Sequence, residues 1–180
     1  MHRSTAVSIR PYRPGDESGF HAAAIESVRE LQPWMPWCHP EFALADAREW
    51  VERQIALFAA KTEFEFVIVD ESGRILGGCG LNQIDEANRR ANLGYWVRSS
   101  ATGRRVATDA VRALGRWARD ETDLHRLELV IATGNAPSLR VAERAGAIRE
   151  CVLRDRLLLH GRFHDAVIYV FLRGENLGEP

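Results

Sequence analysis

Two strand-like runs joined by one long amphipathic helix constrain this chain more than any other feature. Residues 92–97, NLGYWV, read as a strand and lead through RSSATGRR into a helical pattern over 103–120. Val106, Ala110, Leu114 and Trp117 form its apolar stripe. Residues 126–133, RLELVIAT, read as a second strand with few polar interruptions. Elements of these two kinds bury their apolar faces by layering helix on sheet. The rest of the chain fits that plan. A strand over 7–12 ends at Pro14-Gly15-Asp16, and helices follow over 17–32 and 45–61. Strands over 64–69 and 75–82 flank a Ser72-Gly73 turn, and a helix over 136–145 stops at Gly146. Strands over 151–159 and 165–172 close on His160-Gly161. The order β-α-α-β-β-β-α-β-α-β-β predicts one α/β domain with a mixed sheet over residues 1–180, its extreme ends loose.

The 180 residues suffice for a full core. Their formal net charge of −1 points away from bulk nucleic acid or an anionic membrane as partner, so any anion must be met by a local cluster. Cys38, Cys79 and Cys151 fit neither zinc spacing nor a disulfide framework, which predicts no metal and a reducing, cytoplasmic setting. The sequence also lacks a signal-peptide core and an apolar run of membrane-spanning length.

Gly103 stands just before the long helix and is followed by Arg104 and Arg105. A helix start leaves backbone N–H groups unpaired and carries partial positive charge, and a glycine lets a ligand approach the main chain. Phosphate suits such a place. A plainer reading stands beside it: Arg105 pairs with Asp109 one turn on. The loop lacks the Lys-Ser/Thr of a P-loop and the G-x-G-x-x-G of a dinucleotide fold.

Four further features carry a family likeness. Gly94-Tyr95-Trp96-Val97 leads into Thr102-Gly103-Arg104-Arg105-Val106-Ala107-Thr108. The strand at Arg126-Leu127-Glu128-Leu129 runs on to Asn135-Ala136-Pro137-Ser138. Val141-Ala142-Glu143-Arg144-Ala145-Gly146-Ala147 follows, and Leu159-His160-Gly161-Arg162-Phe163-His164-Asp165 precedes Tyr169. Together they resemble the GNAT superfamily of N-acyltransferases, and within it the branch that acetylates N-termini of ribosomal proteins. The likeness implies a mostly antiparallel sheet with one splayed parallel strand pair and helices on both faces. It also implies acetyl-CoA as co-substrate. The superfamily's Gln/Arg-x-x-Gly-x-Gly/Ala pattern falls on Thr102 to Ala107. Thr102 replaces the usual Gln or Arg, and Arg105 replaces the central Gly, which is tolerable if residue 105 is already helical and points outward.

The resemblance further implies that the diphosphate is held by backbone from Thr102 to Thr108. Pantetheine would lie between the parted strands, with the thioester near Trp96 and Val97. Asn135 would bond its amide, and Arg140 would reach a phosphate. An amine attacks a thioester without a covalent enzyme intermediate. Many members protonate the leaving thiolate with a Tyr seven residues after the motif Asn. That position is Ala142 here, and Ser138 is the substitute donor or simply serves the helix turn. The family's strand Glu, a general base, is replaced by Asn92. This leaves Glu128 as base or as a plain partner of a nearby Arg, and then His125, Glu150 and His164. On the acceptor side, Trp34 and Trp37 in the proline-held loop either wall the cleft or pack between helices. Asn82 and Tyr169 are further candidates to face the amine. The expected activity is transfer of acetyl to a primary amine, a protein N-terminal α-amine first. A small-molecule amine, a succinyl donor, or CoA binding without turnover are the alternatives. The sequence leaves monomer or dimer open.

Overall fold

The computed structural model describes residues 7–174. The terminal residues 1–6 and 175–180, expected to be loose, lie outside the described residues. The strands are β1 (Val7–Pro11), β2 (Phe64–Asp70), β3 (Ile75–Asp85), β4 (Arg90–Val97), β5 (Arg126–Ala132), β6 (Ile148–Leu159) and β7 (Arg162–Leu172). The helices are α1 (Glu17–Glu26), α2 (Val28–Leu31), α3 (Leu44–Ala59), α4 (Val106–Glu121) and α5 (Ala136–Ala145).

The strands form one sheet in the order β1-β2-β3-β4-β5-β7-β6. Every neighbouring pair is antiparallel except β4 and β5. That parallel pair is bonded only from Arg90↔Arg126 to Asn92↔Glu128. Beyond Asn92 the two strands part, so the inner edge of β4 has no strand partner up to Val97.

Alternation along the strands gives the sheet two apolar faces. Phe66, Ile68, Cys79, Leu81, Leu93, Leu127 and Leu129 pack against Val106, Ala110, Val111 and Leu114 of α4 and against α5. Val67, Val69, Ile75 and Trp96 pack on the other face with Phe20, Ala23, Ala24, Ala47 and Val51 of α1 and α3.

The helix expected over 17–32 is broken at Ser27. The Ser27 hydroxyl donates back to the Ala23 carbonyl at 2.7 Å and accepts the Ser99 N–H at 3.0 Å. A serine that bonds back in this way weakens and bends a helix. Here the break lets α1 grip the segment that follows β4.

Candidate active site

Between β4 and α4 the chain makes a short 3-10 turn (Ser99–Ala101), then turns at Thr102 and Gly103. Gly103 has φ +75° and Arg105 has φ +64°. The expectation that Arg105 is already helical is therefore corrected. Arg105 is the N-cap of α4 in left-handed backbone, the conformation that a glycine at this position would adopt freely. No side chain caps this helix start. The N–H groups of its first turn, from Val106 to Thr108, consequently lack intrahelical partners. A Cβ added to Gly103 would meet nothing within 4 Å, so open space lies over the turn. Arg104 and Arg105 are both exposed. Such a start, with two cations beside it, is built to take an anion. Thr102 holds the turn by donating its hydroxyl to the Ser99 carbonyl at 2.8 Å.

The turn is anchored from α1. Buried Arg98 forms an ion pair with Glu26 and also donates to the Ile75 carbonyl at 3.0 Å. Glu26 accepts the Ser100 N–H at 2.9 Å, and Glu30 accepts the Ser99 hydroxyl at 2.7 Å. The Arg98 bond, with help from Ser100, pulls the Glu26 carboxyl down to about 2.

Where β4 and β5 part, a cavity of about 200 Å³ opens. Asn92, Gly94 and Tyr95 line it from β4, and Leu129 and Ile131 line it from β5. Asn135 and Ser138 at the start of α5 close one side, and Trp34 and Met35 close another. Asn135 is the N-cap of α5 and accepts the Ser138 N–H at 3.2 Å, which leaves its amide N–H₂ for other partners. The Tyr95 phenol donates to the Ser138 carbonyl at 3.1 Å and shares a 2.6 Å bond with the Ser138 hydroxyl. Burial pushes Tyr95 up to about 12, against the opposing Ser138 bond, so the phenol keeps its proton at neutral pH. The Trp34 ring lies close to Gly134, where an added Cβ would stand 3.3 Å from its edge. His160 in the β6–β7 turn bonds the Gln32 carbonyl at 2.7 Å and ties down the loop that carries Trp34.

On the α1 side of the same opening, side chains stand in cross-strand rows. Glu65, Gly80 and Gly94 pair across β2, β3 and β4, and Asn82 pairs with Asn92 in the next row. The Asn92 amide donates to Asn82 at 2.9 Å, and the Asn82 amide donates to the Glu65 carboxyl at 3.1 Å. The carboxyl lies over Gly80, where any Cβ would collide with it.

This geometry combines an uncapped helix start, a strand pair splayed beside it and an open strand edge. The GNAT acetyltransferase domain model matches residues 7–148. The chain belongs to the GNAT acetyltransferase family. It is 30% identical over 177 residues to a Bacillus subtilis (strain 168) protein named "Putative ribosomal N-acetyltransferase YdaF", covering 96% of this chain and 94% of that one. It is 28% identical to the ribosomal-protein-serine acetyltransferase of Escherichia coli (strain K12), covering 77% of each. Mycobacterium smegmatis RimJ in complex with CoA-disulfide superposes with a TM-score of 0.82 at 27% identity, covering 94% of this chain and 83% of that one. The protein is an acetyl-CoA-dependent N-acetyltransferase.

In this acetyltransferase the expected site residues divide. Those from Thr102 to Thr108, with Asn135 and Ser138, gather around the helix start and the cavity. Val106 is buried as the first core residue of α4, and Thr108 is also buried. Arg140 is exposed on α5. Trp96 turns its side chain away from the cavity to pack against Phe20 and Trp37, while its main chain and that of Val97 remain on the parted section of β4. Trp34 walls the cavity, but Trp37 does not. It stacks with Phe20 and Trp50 over a separate shallow hollow on α3. Tyr169 points to the α5 side of the sheet, where its hydroxyl donates to Glu143 at 2.9 Å, and it does not line the cavity. Glu128 accepts the Arg126 guanidinium at 2.6 Å, and Arg126 is also clamped by Glu150. That is the plain ion-pair reading of Glu128.

Sequence reasoning missed two residues, Tyr95 and Glu65. Tyr95 carried no signal beyond its place in a strand that leads into the loop. Glu65 carried one: it is the single carboxylate inside the apolar run FEFVIV, opposite the glycine-rich GGCG of β3. Glycine inside a strand marks a close approach.

Proposed function

We propose that this enzyme acetylates the α-amine of protein N-termini, of the ribosomal-protein type. The observation that carries the reading is the Asn82–Asn92 carboxamide pair, with Asn92 on the cavity wall and Asn82 bonded to the Glu65 carboxyl behind it. One carboxyl suits one ammonium group. Carboxamides offer a donor and an acceptor each, which match the peptide groups that follow a free N-terminus. Likeness along nearly the whole chain to a relative named as a ribosomal N-acetyltransferase supports it.

Acetyl-CoA, when bound, supplies the activated acyl group. The main-chain N–H groups from Gly103 to Thr108 hold its diphosphate, with Arg104 and Arg105 adding charge-assisted bonds. The free inner edge of β4 takes pantetheine as an added strand, and the Asn135 amide bonds it from α5. A β4 N–H near Trp96 and Val97 stabilises the developing oxyanion. A hydroxyl of the Tyr95–Ser138 pair would turn its proton from these internal bonds to the leaving sulfur.

The test is release of free thiol from acetyl-CoA in the presence of acceptor panels. Peptides with ribosomal-protein N-termini are expected to release it. The same peptides with a blocked N-terminus and an internal lysine are not. Turnover of polyamines or amino sugars without turnover of any peptide N-terminus would defeat this reading.

A further inference from the structure

An amine acetyltransferase must take a proton from its acceptor. A free α-amine has a reference pKa of about 8 and is mostly ammonium at neutral pH. Asn92 on β4 cannot accept that proton. Two hydrogen bonds lead from Asn92 through Asn82 to the Glu65 carboxyl. Carboxamides do not relay protons, so the direct path matters more. Gly80 and Gly94 are cross-strand partners facing the same side as Glu65. Paired Cα atoms in such a sheet are about 5 Å apart. The carboxyl fills the space over Gly80, while the space over Gly94 opens to the cavity. The nearest atoms to a Cβ at Gly94 are the Asn82 and Asn92 amide nitrogens, each 3.9 Å away. An amine seated over Gly94 is thus one glycine from the carboxyl, within reach directly or through one water.

We propose that Glu65 is the general base of this acetyltransferase, seated over Gly80 and held by Asn82, and that the acceptor ammonium docks over Gly94. The step balances. The ammonium gives one proton to the Glu65 carboxylate, and the freed lone pair forms the C–N bond at the acetyl carbonyl carbon. The C–S bond breaks, and a second proton from the same nitrogen ends on the thiolate by way of the Tyr95–Ser138 hydroxyls. Glu65 then returns its proton to solvent. The product is the amide, with free CoA thiol and one proton released.

The surroundings suit the task. Burial pushes Glu65 up to about 7, with Glu63 adding to the rise and the Asn82 bond opposing it. Titratable groups that feel its charge are Glu63 just before β2, Tyr12 just after β1 and Cys79 on β3. Burial keeps Tyr12 and Cys79 protonated. Among the described residues no arginine or lysine forms an ion pair with Glu65, in contrast to Glu128. A base poised near the working pH is the most effective kind.

The proposal rests on amine acetylation and not on the identity of the amine. The experiment is the pH dependence of kcat/KM for the full chain and for Glu65→Gln, with acetyl-CoA affinity measured alongside by calorimetry. Wild type should rise through about pH 7 as Glu65 ionises and fall above about 8 as the α-amine loses its proton. Glu65→Gln should keep its acetyl-CoA affinity and lose about 100-fold at pH 7. Its curve should then climb through about 8, following the neutral amine alone. An unaltered curve in the variant would overturn the proposal. So would loss of acetyl-CoA binding, which marks a structural role. A wild-type curve without a rising limb near 7 would do the same without any variant. If peptides fail and another amine is turned over, the N-terminal reading fails, and the same curves on that amine still decide Glu65.

Discussion

Arg105 occupies left-handed backbone with a side chain attached, at the turn proposed to meet the donor diphosphate. That conformation costs an L-residue about 1–2 kcal/mol. Arg105→Gly should therefore raise the thermal midpoint slightly, by an amount corresponding to about 1 kcal/mol, while weakening acetyl-CoA binding through the lost guanidinium. Thermal unfolding and calorimetry read the two effects separately. Tyr95 supplies the other single-residue prediction. Tyr95→Phe removes the proton shared with Ser138 and nothing from the donor loop. It should lower kcat by about 100-fold, the low end for a general acid, with acetyl-CoA affinity unchanged. Because both hydroxyls belong to one bond, Tyr95→Phe combined with Ser138→Ala should cost much less than the product of the two single losses. Ser138 was named through the family resemblance, three residues after the motif Asn135. Its partner was not, because Tyr95 reaches it from 43 residues away.

At the scale of elements, the Glu26–Arg98 pair decides where the donor loop sits. It joins the end of α1 to the exit of β4, with Ser27 and Glu30 both holding Ser99 and Glu26 holding Ser100. Glu26→Gln leaves a buried guanidinium uncompensated, a loss of about 3 kcal/mol. In a domain of this size that lowers the thermal midpoint by roughly 6–12 °C. Acetyl-CoA affinity should fall with it, because the loop loses its anchor. The Glu26 carboxyl lies below its ordinary value in the folded state. Its contribution is therefore present above about 4.5 and is lost as pH falls through about 2. A difference in thermal midpoint between wild type and Glu26→Gln that is large at pH 7 and vanishes under strong acid is the measurement that checks it. The helix expected over 17–32 hid this arrangement. Periodicity reports a continuous helix through Ser27, and only the packed partner, the Ser99 N–H, shows why the chain breaks there.

At the scale of the whole molecule, one sheet would carry both halves of the proposed reaction. The donor loop, β5 and the start of α5 lie to one side of β4, and Gly80 and Glu65, on β3 and β2, lie to the other. A ligand that bridges these elements stabilises all of them together. Acetyl-CoA at 100 times its Kd should add about 2.7 kcal/mol to the free energy of unfolding, or roughly 5–11 °C in Tm. A thermal scan with and without the co-substrate tests this, and an unmoved midpoint would mean that the loop does not bind it. The amino-acid sequence alone determined the α/β element order, the glycine turn into α4 and the Asn135–Ser138 helix start. Each of these is written in residues close together along the chain, where period, cap chemistry and turn preference act. The tertiary structure decided which carboxylate stands free. Of the strand acids, the sequence reading named Glu128 and passed over Glu65. Arg126, two residues away on β5, ties Glu128 into an ion pair, sheet order brought Glu150 to Arg126, and register placed Glu65 over Gly80. Strand pairing joins residues far apart in sequence, and no local propensity encodes which of them will face one another.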